Sequence, residues 1–338
     1  MRIIRTRNIH QALPIALDLM KEIGQIRGSR NGPVLVAPCP VVTEYTRPWE
    51  RVSFWKQRDA NPFLHLYESL WMLAGRNDLR PLLKFTKNFS KYSDDGVIMH
   101  GAYGYRWRMS AAGDQLSKIA YSLRRNPDDR RCVLQMWNAA QDLAKDGVDF
   151  PCNLMATFQR NDAGELDMTV FCRSNDIIWG CYGANAVHFS ILQEYMARWI
   201  GCEIGVYRQI SVNWHAYVDV FNKVCHPEYD VMDRPYGQQE VRYASPTLVE
   251  WEQALVIVHN AIDNNFFQVD FCSEWSSWTR LLYTIFKAHW MFRSYAAPEN
   301  YIQPLAYLNL EDPHNDWIVA CRQWLQRRYD NWERKMKS

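Results

Sequence analysis

Apolar and polar residues follow two periods along this chain, one helical and one extended, and the switches between them outline its elements. Residues 10–24 (HQALPIALDLMKEIG) carry helical apolar spacing and stop at Gly24. Residues 27–61 are rich in Val, Thr, Pro and Arg and read as a loop followed by extended segments. Asn61-Pro62 opens a second helix, FLHLYESLWMLAG, closed by Gly75 where a C-terminal glycine is expected. Residues 115–125 read as helix, and 131–137, 154–159 and 166–171 as strands. The turn Asn161-Asp162-Ala163-Gly164 joins the last two with hairpin chemistry. Residues 186–200 form the most strongly amphipathic helix, ending at Gly201, and 206–212 read as another strand. Further helices are expected over 247–262 and 314–336. With no repeat, low-complexity run or linker, the pattern predicts one α/β (α+β) domain over residues 1–338.

Composition narrows the class. A chain of 338 residues has the length of about two domains or one large one, and can bury roughly three quarters of its unfolded surface. Its 39 basic and 37 acidic residues leave a net charge of +2, which argues against direct nucleic-acid or membrane binding by bulk electrostatics. Nine cysteines, an odd count, show no CxxC pair and no Cys/His spacing of the zinc type. No metal site is therefore expected, and a reduced, cytoplasmic setting is, that of the producing cell or of a host. The N-terminus lacks an apolar leader pattern, and nowhere do eighteen apolar residues run together. Fifteen tryptophans serve a packed core as readily as a ligand site.

Several short constellations carry possible chemistry. Cys152, after Pro151 and just before a strand, is placed to present a thiol at a sheet edge, although most cysteines are small buried apolar groups. Arg173-Ser174-Asn175-Asp176 groups a cation, a hydroxyl and a carboxylate, followed by Gly180 and Asn185. Arg130-Arg131 is a second cationic pair, which after Asp128-Asp129 also reads as a solvated charge cluster. His215 and Tyr217 share one face if extended. Together they supply arginines for a dianion, a thiol for addition, an amide for a planar polar edge and a His/Tyr pair for a sugar.

With these residues the chain resembles the thymidylate synthase superfamily over about residues 27–230. Tyr67-Glu68-Ser69-Leu70-Trp71-Met72-Leu73, His100-Gly101-Ala102-Tyr103-Gly104-Tyr105-Arg106-Trp107-Arg108, Asp129-Arg130-Arg131, Pro151-Cys152, Arg173-Ser174-x-Asp176 with Gly180 and Asn185, and His215-x-Tyr217 are similar to its motifs, in order. The resemblance implies a thymidylate synthase-like fold, a large twisted mixed β-sheet flanked by helices that packs against its copy in a homodimer. It also implies folate-dependent one-carbon transfer, with 5,10-methylenetetrahydrofolate as co-substrate and a pyrimidine nucleoside monophosphate as acceptor. Cys152 would add to C6, its pKa lowered by arginines, so that C5 attacks the one-carbon unit. Tyr103 and Glu68 would move protons. Arg30, Arg173 and Ser174, with Arg130 and Arg131 of the partner, would hold the 5′-phosphate. Asn185 and Asn153 fall at the base, His215 and Tyr217 at the sugar, and Asp176 at the folate. His188 is expected mainly to pack its helix.

Four departures modify that expectation. Asn153 stands where synthases have His, and Gly180–Asn185 holds one residue more than the family's stretch. No tryptophan lies between Trp71 and Trp107, where synthases shield a methylene intermediate from water. The C-terminus is a polar helical pattern rather than an apolar closing tail, so about 247–338 reads as a divergent extension. In these respects the chain is similar to phage pyrimidine nucleotide hydroxymethylases, in which water captures the intermediate and tetrahydrofolate leaves. The expected activity is 5-hydroxymethylation of dUMP or dCMP. A methyl-transferring synthase releasing dihydrofolate, and an inactive nucleotide- or RNA-binding homologue, are the alternatives. Asn185 leans toward uracil, and cytosine and the ribonucleotides stay open; a cysteine hydrolase finds no His beside Cys152 and no oxyanion-type glycine loop.

Overall fold

The structure, a computed structural model, describes residues 1–111, 113–225, 236, 242–266 and 272–337. The chain begins with β1 (Arg2–Thr6), α1 (Ile9–Ile23), β2 (Gln25–Arg27), β3 (Val34–Val36) and β4 (Val41–Tyr45). Helix α2 (Pro62–Leu73) follows the long loop after β4; the Asn61 side chain accepts from the Leu64 N–H, and Pro62 occupies the first turn, which lacks that donor requirement. Next come α3 (Tyr103–Arg108), α4 (Gln115–Arg125), β5 (Val133–Gln135), α5 (Ala139–Asp142), β6 (Asn153–Arg160) and β7 (Leu166–Asp176). Helix α6 (Asn185–Ile200), β8 (Ile204–Tyr217) and α7 (Val218–Val224) complete the part around the sheet. The C-terminal layer consists of α8 (Leu248–Asp263), α9 (Ser277–Ser294), α10 (Glu299–Leu308) and α11 (Asp316–Lys337).

The eight described strands form one mixed sheet, in the order β1-β4-β8-β7-β6-β5, with β2 on β3 and β3 on β8. Strand β8 is its spine. Its 14 residues pair with β7 along one edge, and with β4 and then β3 along the other. The inward residues Tyr207, Gln209, Ser211, Trp214 and Ala216 are buried. The outer face carries Met155, Phe171, Ile210 and Val42 in one row across β6, β7, β8 and β4, all only partly buried. Helices α2 and α6, both almost wholly buried, join the inner face in one apolar cluster.

Several expected boundaries moved. The strand expected over 131–137 is only Val133–Gln135, because Asp129 turns the chain by accepting from the Arg131 N–H and guanidinium. The strands expected over 166–171 and 206–212 run on to Asp176 and Tyr217. These polar ends lack apolar alternation yet keep their ladder, in which Asp176 pairs with His215. Helices α9 and α10 had no individual expectation: α9 buries ten residues, among them Thr279, Tyr283, Thr284 and His289.

The extra residue before Asn185 also finds its place. Ile177–Ala184 forms a wide π-type turn, kinked at Tyr182 and Gly183, that runs into α6. Such turns absorb an insertion without breaking the helix that follows.

Candidate active site

Strand ends and loops converge at Cys152. The residues before β6 approach α3 so closely that the Tyr103 hydroxyl accepts from the backbone N–H of both Cys152 and Asn153, at 3.1 and 3.2 Å. Burial, then the neighbouring Cys152 and Cys172 thiols, raises the Tyr103 phenol above its usual range. Cys152 lies beside Arg173, which donates to the Pro151 carbonyl at 3.0 Å while its own backbone N–H donates to the Cys152 carbonyl at 2.9 Å. The Arg173 guanidinium also stands 5.6 Å from the Trp137 ring centroid. Arg30 reaches the same loop, donating to the Val148 carbonyl at 3.4 Å.

The expectation that arginines lower the Cys152 pKa is not met, since the thiol lies above its usual range. Burial pushes the thiol up and dominates; Arg173 and Arg30 pull it down, and Asp149 adds a smaller push upward. Cys172, beside it, is buried, also pushed up by burial, and donates its thiol to the Ser174 carbonyl.

A row of side-chain amides leads inward from the Cys152 loop. Asn153 Nδ2 donates to Asn185 Oδ1 at 3.2 Å, and Asn185 Nδ2 donates to Asn175 Oδ1 at 3.0 Å. Asn175 Nδ2 in turn donates to Gln209 Oε1 and to the Ser211 hydroxyl, at 3.3 and 3.0 Å. Gln209 Nε2 then donates to the Cys181 carbonyl at 3.0 Å. Because a carbonyl only accepts, this end fixes which way each amide faces. Asn153 Oδ1 is left as a buried acceptor without a partner. Gly180 makes room for the row, since a Cβ there would stand 2.7 Å from Asn175 Oδ1.

The remaining expected residues fall into three groups. Asp176 caps the π-type turn, accepting from the backbone N–H groups of Ile178 and Trp179, while its Oδ2 is buried and unpartnered. Burial raises its carboxyl above the usual range, with His215 opposing. His215 and Tyr217 share the end of β8, their rings 5.7 Å apart, and Asn31 donates to the Tyr217 hydroxyl at 3.3 Å. Glu68, on α2, faces His188 on α6 with Oε2 and Nε2 3.3 Å apart. His188 is therefore a buried partner of Glu68 as well as a packing residue. Arg130 and Arg131 are exposed at the turn before β5; Arg131 is forked onto Asp129, and neither acts on Cys152 of the same chain.

Four nearby residues were not singled out in the sequence. Trp179 is half exposed, with the buried Arg58 guanidinium 4.4 Å from its ring centroid. Arg58 donates to the Ile178 carbonyl, and burial lowers its pKa to about 10. Asp149 lies two residues before Pro151, and Asn175 occupies the unspecified position of its motif. Arg58 and Asp149 sit in loops without periodicity, so no pattern marked them. Among the described residues there is no group of three or more His, Cys, Asp or Glu able to hold a metal ion, and no helix long and apolar enough to cross a membrane.

A family model described as "Thymidylate synthase" matches residues 51–252. A deoxyuridylate hydroxymethyltransferase of Pseudomonas phage M6 is 47% identical over 340 residues, covering 97% of this chain and 95% of that protein. A protein of the same name from Bacillus phage SP01 is 37% identical over 227 residues, 64% of this chain and 58% of its own. A third, from Delftia phage PhiW-14, is 27% identical over 262 residues, covering 73% and 72%.

Proposed function

Because the chain belongs to the thymidylate synthase family and is a one-carbon transferase, we propose that it hydroxymethylates C5 of deoxyuridylate, taking the carbon from methylenetetrahydrofolate and releasing tetrahydrofolate. The observation that carries this reading is the setting of Cys152, a nucleophile-type thiol between two arginines, at the mouth of a directional row of amides. Asn185 keeps one lone pair on Oδ1 and one hydrogen on Nδ2 beyond the row, which suits the N3–H donor and O4 acceptor of uracil. The names of the phage relatives point to the same base and product.

In this reading Cys152 adds to C6 of the pyrimidine, and C5 attacks the one-carbon unit. A bound phosphate dianion would draw Arg173 and Arg30 into bidentate contacts, with Ser174 donating a hydroxyl. Tyr103, whose oxygen already accepts two backbone N–H groups, remains protonated near neutrality and can only pass a proton on through its hydroxyl. Glu68, oriented by His188, serves proton movement at the carbonyl side of the base. His215 and Tyr217 hold the 3′-hydroxyl of the sugar. The flat, exposed Trp179 beside Asp176 suits the fused ring of a folate, with the unpartnered Asp176 Oδ2 free to accept from its N–H groups.

Arg130 and Arg131 fit the site only if a second copy supplies them. The partly buried apolar row Met155, Phe171, Ile210 and Val42 shares the outer face with Arg173 and is suited to a twofold, face-to-face homodimer. All nine cysteines are free, which supports a reducing, cytoplasmic setting.

The test is mass analysis of products formed with methylenetetrahydrofolate from dUMP, dCMP and their ribonucleotides, together with dihydrofolate absorbance. We expect 5-hydroxymethyl-dUMP and no dihydrofolate. A methylated product accompanied by dihydrofolate would overturn the reading.

A further inference from the structure

Water must reach a carbon held over Cys152 if the product is a hydroxymethyl group, and it must lose a proton as it adds. An open cleft of about 730 Å³ reaches the nucleophile loop from the side of α3, lined by Asp149, Phe150, His100, Tyr105 and Trp137 among others. Asp149 is where the cleft and the loop meet. One side of its carboxyl is fixed: Oδ1 packs on Gly101, where a Cβ would come within 2.6 Å, and the backbone N–H groups of His100 and Gly101 donate to the carboxyl. Its Oδ2 has no partner. The loop that carries it is pinned on two sides. Asp94 accepts from the Val148 N–H at 2.7 Å, and Arg30 donates to the Val148 carbonyl. The same carboxyl is close enough to Cys152 to push its thiol upward.

We propose that Asp149 is the base that takes the proton of the water adding to the C5 methylene carbon of the nucleotide. This rests on the hydroxymethylating function proposed above. In this step the water oxygen bonds to the methylene carbon as its proton passes to the Asp149 carboxylate. The methylene double-bond electrons move onto the C4 carbonyl oxygen, forming an enolate. Collapse of the enolate restores C5=C6 and expels the Cys152 sulfur from C6 as thiolate. Nothing is oxidised or reduced, which distinguishes the step from hydride transfer. Burial is the largest influence on the Asp149 carboxyl and raises it above the usual range; Asp94 also raises it, and His100 and the two backbone donors oppose. A carboxylate so placed is a stronger base than a solvated one.

Asp149→Asn retains the shape and the accepting oxygen toward Gly101 but removes the base. Product formation from dUMP is expected to fall about 10²-fold, while release of the C5 hydrogen of labelled dUMP falls by no more than about threefold. The acidic limb of the product–pH profile, set by Asp149 beside Asp94, His100, Arg30 and Cys152, is expected to disappear. A second readout needs no folate: the pH midpoint for alkylation of Cys152 by iodoacetamide should move down in the folded variant, because a negative charge has gone. Loss of product no greater than loss of hydrogen release would overturn the proposal, as would an unmoved alkylation midpoint. A wild-type chain that makes no hydroxymethyl product would overturn the function itself. A wild-type chain that makes it, with a variant that does too at an undiminished rate, would overturn the role of Asp149 alone.

Discussion

The sheet end around Cys152 and the C-terminal helical layer treat carboxylates in opposite ways. Around Cys152, Asn153 Oδ1, Asp149 Oδ2 and Asp176 Oδ2 are buried without partners. In the C-terminal layer, prominent charges are answered within the chain. Arg327 and Arg328 of α11 both close on Asp59, and Asp316 accepts from the Tyr236 hydroxyl at 2.8 Å. Aromatic rings pack edge to face there, as in Trp251 with Trp278 and Phe292 with Trp324. The helical layer also leaves Asn300 Oδ1 and the indole N–H groups of Trp251, Trp278 and Trp324 without partners, so the difference lies in the carboxylates. Those of Asp59 and Asp316 are engaged, whereas Asp149 and Asp176 each keep a buried open oxygen, a costly state that suits a site awaiting a ligand.

The contrast can be broken by experiment. Cys152→Ala is expected to lower turnover by on the order of 10⁴-fold, equivalent to about 5 kcal/mol, in a product assay, with the thermal midpoint unchanged. A matching loss of stability would mean the site is also a structural element.

The helical layer should show the opposite response, in stability and with pH. Burial raises the Asp316 carboxyl from 3.8 to about 7. The folded chain therefore holds a proton that the unfolded chain has lost between those values, and stability declines as pH rises from about 4 through about 7. Urea unfolding at pH 5 and pH 8 should differ by on the order of 2–4 kcal/mol on this account, and Asp316→Asn should flatten the difference. An unchanged slope would remove Asp316 from the explanation.

Arg173→Ala should raise the Michaelis constant for the nucleotide by roughly 10–100-fold, the worth of hydrogen bonds to a charged group. A change confined to kcat would argue against phosphate binding there. Smallest of all, Arg327→Ala should cost under about 1 kcal/mol in denaturant melts, since the Arg327 pair is partly exposed. A larger loss would make the clamp on Asp59 essential for docking α11.

The legible parts of the molecule were those with local pattern. The hairpin at Asn161–Gly164 and the Pro151-Cys152 and Arg173-Ser174 groupings all lie within a few residues of chain, whereas 186–200, expected as the most amphipathic helix, is α6, buried nearly all round with His188, Ser190, Gln193 and Glu194 inside. The ladder then brought Asp176 beside His215, and the loop brought Arg30 to Cys152. What the pattern could not show was burial of polar residues. Gln209 looks like a solvent-facing position in its strand, yet it is 1% exposed and anchors the amide row. The sign of the Cys152 shift was likewise hidden, because it depends on how much solvent the surrounding loops remove.

The amide row has one more consequence. Each side-chain amide can be turned end for end, so a free row of them has two settings, with every donor and acceptor exchanged. A peptide carbonyl cannot be turned. By ending on the Cys181 carbonyl, the row inherits its polarity from the main chain, where no substitution reaches it. The face that Asn185 presents is then changed by replacing a member of the row and not by rotating one.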